Sequence, residues 1–181
     1  MEAFVRSAGW FPGRRIDPSP YLQALRADGY PIFSAVEEFL AEFGGLSFRV
    51  PEDFPNRREP FDFDAIDAAR RCHIQDVLNG HQQTVGQPLC IVGTNRQYNI
   101  LISPSLKFYG SFDESLWFAG EGAVDMIEAF CSGRMYRAEN PRWQSVHPAA
   151  VTGRAAAVPG VTRPDCSPPL PPATAPSAGS A

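Results

Sequence analysis

Lysine is almost missing from this chain: Lys107 is the only one, and every other cation is an arginine. That bias is compositional and carries no functional argument. A basic surplus is missing too, with 16 Lys and Arg against 20 Asp and Glu and a net charge of -4. This argues against the positive surface by which nucleic-acid-binding domains hold phosphate. The four cysteines, Cys72, Cys90, Cys131 and Cys166, form no Cys-x-x-Cys pair, which removes the usual signature of a structural zinc site or a disulfide framework. Three of them sit among apolar residues, so reduced, buried thiols are expected. Apolar runs are strand-sized and fall well short of the roughly 20 residues of a membrane span. The start, Met-Glu-Ala-Phe-Val-Arg, has no basic segment leading into an apolar run. A cytoplasmic protein without membrane contact is expected.

Reaction chemistry is equally scarce. There is no Gly-x-Ser-x-Gly and no Gly-x4-Gly-Lys, and Gly120-Glu121-Gly122 lacks the third glycine of a dinucleotide fingerprint. Cys72 and His73, with His81 and Cys90, supply thiol and imidazole groups, but not at metal-ligand spacing. Cys72 and His73 read as a helix position at the core boundary, His81 as loop. An enzyme using Cys72 or His73 is the weaker alternative. Glu37 and Glu38 are adjacent and project roughly 100° apart on a helix, so they do not converge as an acid/base pair. No cofactor, metal or catalytic residue is expected.

What the chain does have is a legible helix. Ser34 to Phe48 opens with Ser34 and Glu37 at capping-box spacing. Val36, Phe39, Leu40 and Phe43 follow at i, i+3, i+4 and i+7, one apolar face, with Glu37, Glu38 and Glu42 on the wetter side. Gly44 and Gly45 permit positive φ and end it, and Leu46 to Val50 alternates as a strand does. Upstream, Asp17-Pro18-Ser19-Pro20 announces a helix through Tyr21, Leu22 and Leu25 that stops at Gly29. Pro51 to Pro60 reads as an exposed polar loop. Asp64 caps a further helix with a stripe of Ile66, Ala69, His73 and Val77. Leu89 to Val92, Ile100 to Ser103 and Lys107 to Tyr109 read as successive antiparallel strands, with a turn at Pro104-Ser105. Leu116 to Phe118 is a further short apolar segment, and a closing helix with a Val124, Ile127 and Cys131 stripe ends at Gly133. Helices first and strands later give an α+β domain, mainly an antiparallel sheet with helices packed around it.

Beyond Arg137 the composition changes. Residues 138–181 hold nine of the 18 prolines and only three basic and two acidic side chains. With Trp143 as its one aromatic, this Pro/Ala-rich stretch has little apolar area to offset ordering entropy and is expected to be a disordered tail. Trp143 would extend the ordered part to about His147 if it docks back. The domain proper is therefore 1–137, which carries 13 basic and 18 acidic side chains, and the acidity belongs to it.

The order of these pieces resembles a known family. Ala8-Gly9-Trp10, Gly13-Arg14, the helix followed by Gly44-Gly45-Leu46 and a strand, Pro88 to Gly93, Asn99 to Ser103, Lys107 to Tyr109 and the helix from Asp125 to Gly133 are similar to the immunity proteins of the SUKH superfamily (SMI/KNR-like fold), closest to the third subfamily. The resemblance covers Phe4 to Arg137. It implies a bacterial antidote that binds and blocks a cognate polymorphic toxin. Gly44, Gly45, Gly93 and Trp10 match the pattern as fold determinants, and no residue-level binding site carries over. A second reading is a regulatory scaffold resembling the cell-wall regulator that gives the superfamily part of its name.

The expected partner is thus a protein toxin, not nucleic acid or membrane, with a monomer as the default state. An acidic antidote suits a toxin with the basic surface that attack on nucleic acid requires. Candidate contacts are Glu37, Glu38 and Glu42 on the helix, Glu52 and Asp53 in the proline loop, Asp113, Glu114 and Glu121 near the last turn, and Trp10, either a lid on the core or an interface anchor.

Overall fold

The computed structural model describes residues 2–49, 60–72, 74, 76–95 and 98–138. The expected tail, Trp143, the loop holding Glu52 and Asp53, and His73 all lie outside these. Three helices come first: α1 (Glu2–Ser7), α2 (Ser19–Ala27) and α3 (Ser34–Phe43). Strands β1 (Ser47–Arg49) and β2 (Pro60–Asp62), helix α4 (Ala65–Arg71), a π-helical turn (Asp76–His81) and the short α5 (Gln82–Val85) follow. The chain then runs through β3 (Cys90–Asn95), β4 (Tyr98–Ile102), β5 (Lys107–Phe112), β6 (Ser115–Glu121), α6 (Gly122–Ser132) and β7 (Tyr136–Arg137). The strands form one sheet in the order β1-β2-β3-β4-β5-β6-β7, each antiparallel to the next. This is the α+β architecture expected. The short strands β2 and β7 and helix α1 carry too few residues for their periodicity to show in the sequence.

One face of the sheet is aromatic. Phe39 of α3 meets Phe63 and Phe108 at ring-centroid distances of 5.2 Å each, and Phe130 of α6 meets Phe61 at 5.8 Å and Tyr98 at 5.7 Å. Val36, Phe39, Leu40 and Phe43 are all buried, as their spacing requires. Each such side chain contributes about 1.5–3 kcal/mol by transfer out of water, before ordering entropy is set against it. Helix α4 packs on β3 through Ala65, Ala68 and Ala69, whose small side chains permit close approach.

Several local expectations are revised. The capping box does not form: Phe33 is the N-cap of α3, and its carbonyl accepts from the amides of Val36 at 2.9 Å and Glu37 at 3.3 Å. Ser34 is already helical, so its hydroxyl is out of position to cap. Asp17 accepts from the Ser19 amide at 3.0 Å while Pro18 occupies the N-cap of α2. Asp64 does cap α4, accepting from Ile66 at 3.0 Å and Asp67 at 3.1 Å. That helix ends at Arg71, however, because Cys72 turns extended, and Val77 is buried from the separate π-helical turn. His81 closes that turn and is buried, where the sequence suggested loop. Val124 is 57% exposed, because the first turn of α6, entered directly from β6, stays at the solvent edge. Met126, Ile127, Ala129, Phe130 and Cys131 form the buried side instead.

Close approach explains two of the glycine positions. Gly44 has a negative φ of -53° and an extended ψ of 137°, but a Cβ there would run into the Leu40 carbonyl; of the pair only Gly45 takes a positive φ, +73°. At Gly93 a Cβ would lie 2.5 Å from the Asp62 carbonyl, so β2 and β3 meet at that spacing only without a side chain.

Candidate functional site

The residues Trp10 to Ile16 strap the end of α3. Arg14 donates to the Glu42 carbonyl and, at 3.0 Å, to the Gly44 carbonyl, and the Ile16 amide donates to the Ala41 carbonyl at 2.8 Å. These are carbonyls that a helix leaves unpaired at its C-terminus, where a cation is also favoured by the dipole. Trp10 completes the strap. Its Nε1 donates to Glu42 Oε1 at 3.0 Å, its ring lies parallel to Phe43 at 6.2 Å, and the Arg6 guanidinium sits 5.8 Å above it. The Gly-Trp and Gly-Arg pieces of the sequence pattern are thereby physically one device, the stop of α3. No local pattern marks Arg14 as a cap, since its two targets lie 28 and 30 residues away.

The acidic candidates do not form one surface. Glu42 is half-buried and held by Trp10. Glu37 is exposed and pairs with Arg26 of α2 at 3.6 Å. Glu121 pairs with Lys107 at 3.9 Å, at the far end of the β5–β6 hairpin from Asp113 and Glu114, since Lys107 faces Glu121 while Phe112 faces Ser115 across the turn. Glu38, Asp113 and Glu114 are exposed and, among the described residues, have no ion pair or side-chain hydrogen bond.

Beside Asp113 and Glu114 lies a feature absent from the candidates drawn from the sequence. Tyr98 meets Phe112 at 6.2 Å and Trp117 at 5.3 Å, both edge-on. Phe112 is 41% exposed, and Tyr98 and Trp117 are half-buried. The signal was present as alternation: Phe108, Gly110 and Phe112 share a face, and an Asp-Glu turn follows at once. Asp113 holds that turn at φ +50°, a region Asp and Asn visit more readily than other side chains.

Burial raises the thiols of Cys90 and Cys131 and the phenols of Tyr30 and Tyr109 above their ordinary ranges. Burial pushes the Cys90 thiol up to about 12. Cys131 is raised to about 11, first by burial and then by Glu128. Both are therefore protonated at neutral pH and poor nucleophiles. The Tyr30 hydroxyl is pushed above its ordinary range by burial, with the Cys72 and Cys90 thiols beside it adding to the effect. Cys72, Cys90 and Cys131 form no disulfide among the described residues. Among the described residues no three His, Cys, Asp or Glu side chains are grouped to hold a metal ion, and no helix is long and apolar enough to cross a membrane.

A model of the SUKH-3 immunity protein family matches residues 1–133. The chain belongs to that family. No curated protein and no solved structure matches it. The SUKH-3 match ends at the last residue of the αL stop of α6, so it takes in the strap, the aromatic face, the hairpin and the closing helix, and leaves out β7.

Proposed function

We propose that this SUKH-3 protein is a cytoplasmic antidote that binds a cognate polymorphic toxin directly and blocks its active site or substrate path, performing no chemistry of its own. The family match over residues 1–133 carries this reading. The net charge of -4 supports a toxin with a basic surface, the kind that acts on nucleic acid, because complementary charge speeds encounter and rejects wrong partners. The unit that does the binding is residues 1–137, acting as a monomer, and the Pro/Ala-rich remainder is dispensable.

The test is co-expression with the protein encoded by the adjacent gene, where the toxin of such a pair is expected. The chain should restore growth to cells making the toxin domain, and truncation after Arg137 should leave rescue intact. Death of the cells while the protein is soluble and abundant overturns the pairing. Loss of rescue on truncation alone moves the tail into the interface.

A further inference from the structure

We propose that the end of the sheet carrying Tyr98, Phe112 and Trp117, rimmed by Asp113 and Glu114, is the surface on which a basic protein partner docks. This rests on the antidote reading above and names its contact face. Three observations converge here. First, the aromatic residues are only partly covered, and the types present, Tyr and Trp above all, are those that dominate binding energy when an interface dries them. Second, their packing is edge-on and mutual, so the patch is preorganised and loses little side-chain freedom on binding. Third, the adjoining carboxylates are uncommitted among the described residues. Glu37, Glu42 and Glu121 are each engaged by a cation or an indole of the same chain, whereas Asp113 and Glu114 have no ion pair or side-chain hydrogen bond with any described residue. Arg137, opposite Trp117 on β7, is already engaged within the fold. Glu38 likewise has no ion pair or side-chain hydrogen bond among the described residues but sits on α3 and not on the strands that form the patch, so it serves as the comparison.

The occupant that fits is a surface bearing Lys or Arg around an apolar or flat cationic centre. A guanidinium can lie over an aromatic face while its neighbours meet the two carboxylates. A second copy of this chain fits less well, because it would bring Asp113 and Glu114 towards their own kind.

The experiment uses the full-length chain and the purified toxin domain encoded beside this gene, with affinity measured by calorimetry and association rate by stopped flow at two salt concentrations. Trp117 is half-buried and its replacement risks the fold, so the informative variants are Phe112→Ala and the pair Asp113→Asn with Glu114→Lys, asparagine being chosen for the +50° φ at 113. Phe112→Ala should weaken binding roughly tenfold or more, mainly through faster dissociation. The charge pair should slow association by roughly tenfold at low salt, with the difference shrinking as salt rises. Glu38→Lys alters the same overall charge away from the patch, so it should leave affinity within about twofold and slow association far less than the charge pair does. Unaltered affinity in both patch variants, while the wild-type chain binds, overturns the docking face and leaves the antidote reading standing. Absence of binding by the wild-type chain overturns both. A patch variant that shifts the free chain from dimer to monomer in sedimentation, without changing toxin affinity, assigns the patch to self-association and also overturns the proposal.

Discussion

Trp10 and Trp117 are both half-buried indoles near carboxylates, yet they belong to different kinds of surface. Around Trp10 the charges are turned inward: its Nε1 donates to Glu42, Arg14 donates to the α3 carbonyls, and Arg6 covers the ring. Around Trp117 the aromatic contacts are made, with Tyr98 at 5.3 Å, but the neighbouring Asp113 and Glu114 are exposed and have no partner among the described residues. The first arrangement spends its charges on holding a helix end, and the second leaves them available. Acidity counted along a sequence therefore overstates what a partner can meet, because part of it is already committed to the fold.

The largest test of that contrast is removal of the strap. Trp10→Ala deletes the ring stacked on Phe43 and strands a half-buried Glu42 carboxylate. Loss of about 2–4 kcal/mol of unfolding free energy is expected in urea titration, somewhat below the roughly 3–5 kcal/mol of fully buried aromatics because the ring is half-buried. Trp10→Phe should recover most of the packing and leave only the hydrogen bond missing, about 1 kcal/mol. If Trp10→Ala costs less than about 0.5 kcal/mol, the level of an ordinary surface change, the strap is not a stability element and the comparison collapses.

Alkali probes a second difference, between the hairpin's exposed turn and its buried middle. Tyr109 is buried, its hydroxyl has no hydrogen-bond partner among the described residues, and it is pushed from 10.0 up to about 12, first by burial and then by Glu121. Cys90 on the neighbouring part of the sheet is moved from 9.0 to about 12 by burial. Both are raised in the folded state, so the unfolded chain releases these protons first. The stability linked to them is whole below about pH 9 and is lost as pH climbs through 9 to 12. The slope is at most about 1.4 kcal/mol per pH unit for each proton. Tyr109→Phe should flatten the upper part of that decline and leave stability near pH 7 unchanged or raised by up to about 1 kcal/mol, since an unpaired buried hydroxyl is removed. A wild-type chain whose midpoint in urea is constant from pH 8 to pH 11 contradicts the burial of both groups.

Much of the core was legible, because it is periodic. The α3 face, the β3 to β5 strands and the turn at Pro104-Ser105 follow from spacing alone, and all of that side of α3 is buried. The π-helical turn was not legible: a stripe through His73 and Val77 looks helical, and only the extended backbone at Cys72 breaks it. Nor was Ser34, whose Ser-x-x-Glu spacing is satisfied on paper while the cap falls one residue earlier, on Phe33. The candidate site was the least legible part. Whether a glutamate is free depends on residues far along the chain, as with Trp10 and Glu42, 32 positions apart. Tyr98, Phe112 and Trp117 likewise meet only once register pairs β4 with β5 and β5 with β6.

The smallest expected effect is also the sharpest control on the contrast between committed and free acids. Glu38→Gln and Glu114→Gln remove charges with no partner within the described fold, and each should change unfolding free energy by less than about 0.5 kcal/mol. Glu37→Gln breaks an exposed pair with Arg26 whose side chains are 50% and 56% exposed, and so should cost about as little. Glu42→Ala should stand apart from all three at about 1–2 kcal/mol, because it strips an acceptor from a half-buried indole. Urea titrations of the four variants at one salt concentration decide the matter. If Glu42→Ala falls among the other three, burial and a 3.0 Å hydrogen bond do not distinguish a structural acid from a surface one in this protein, and the division of its carboxylates into committed and available fails.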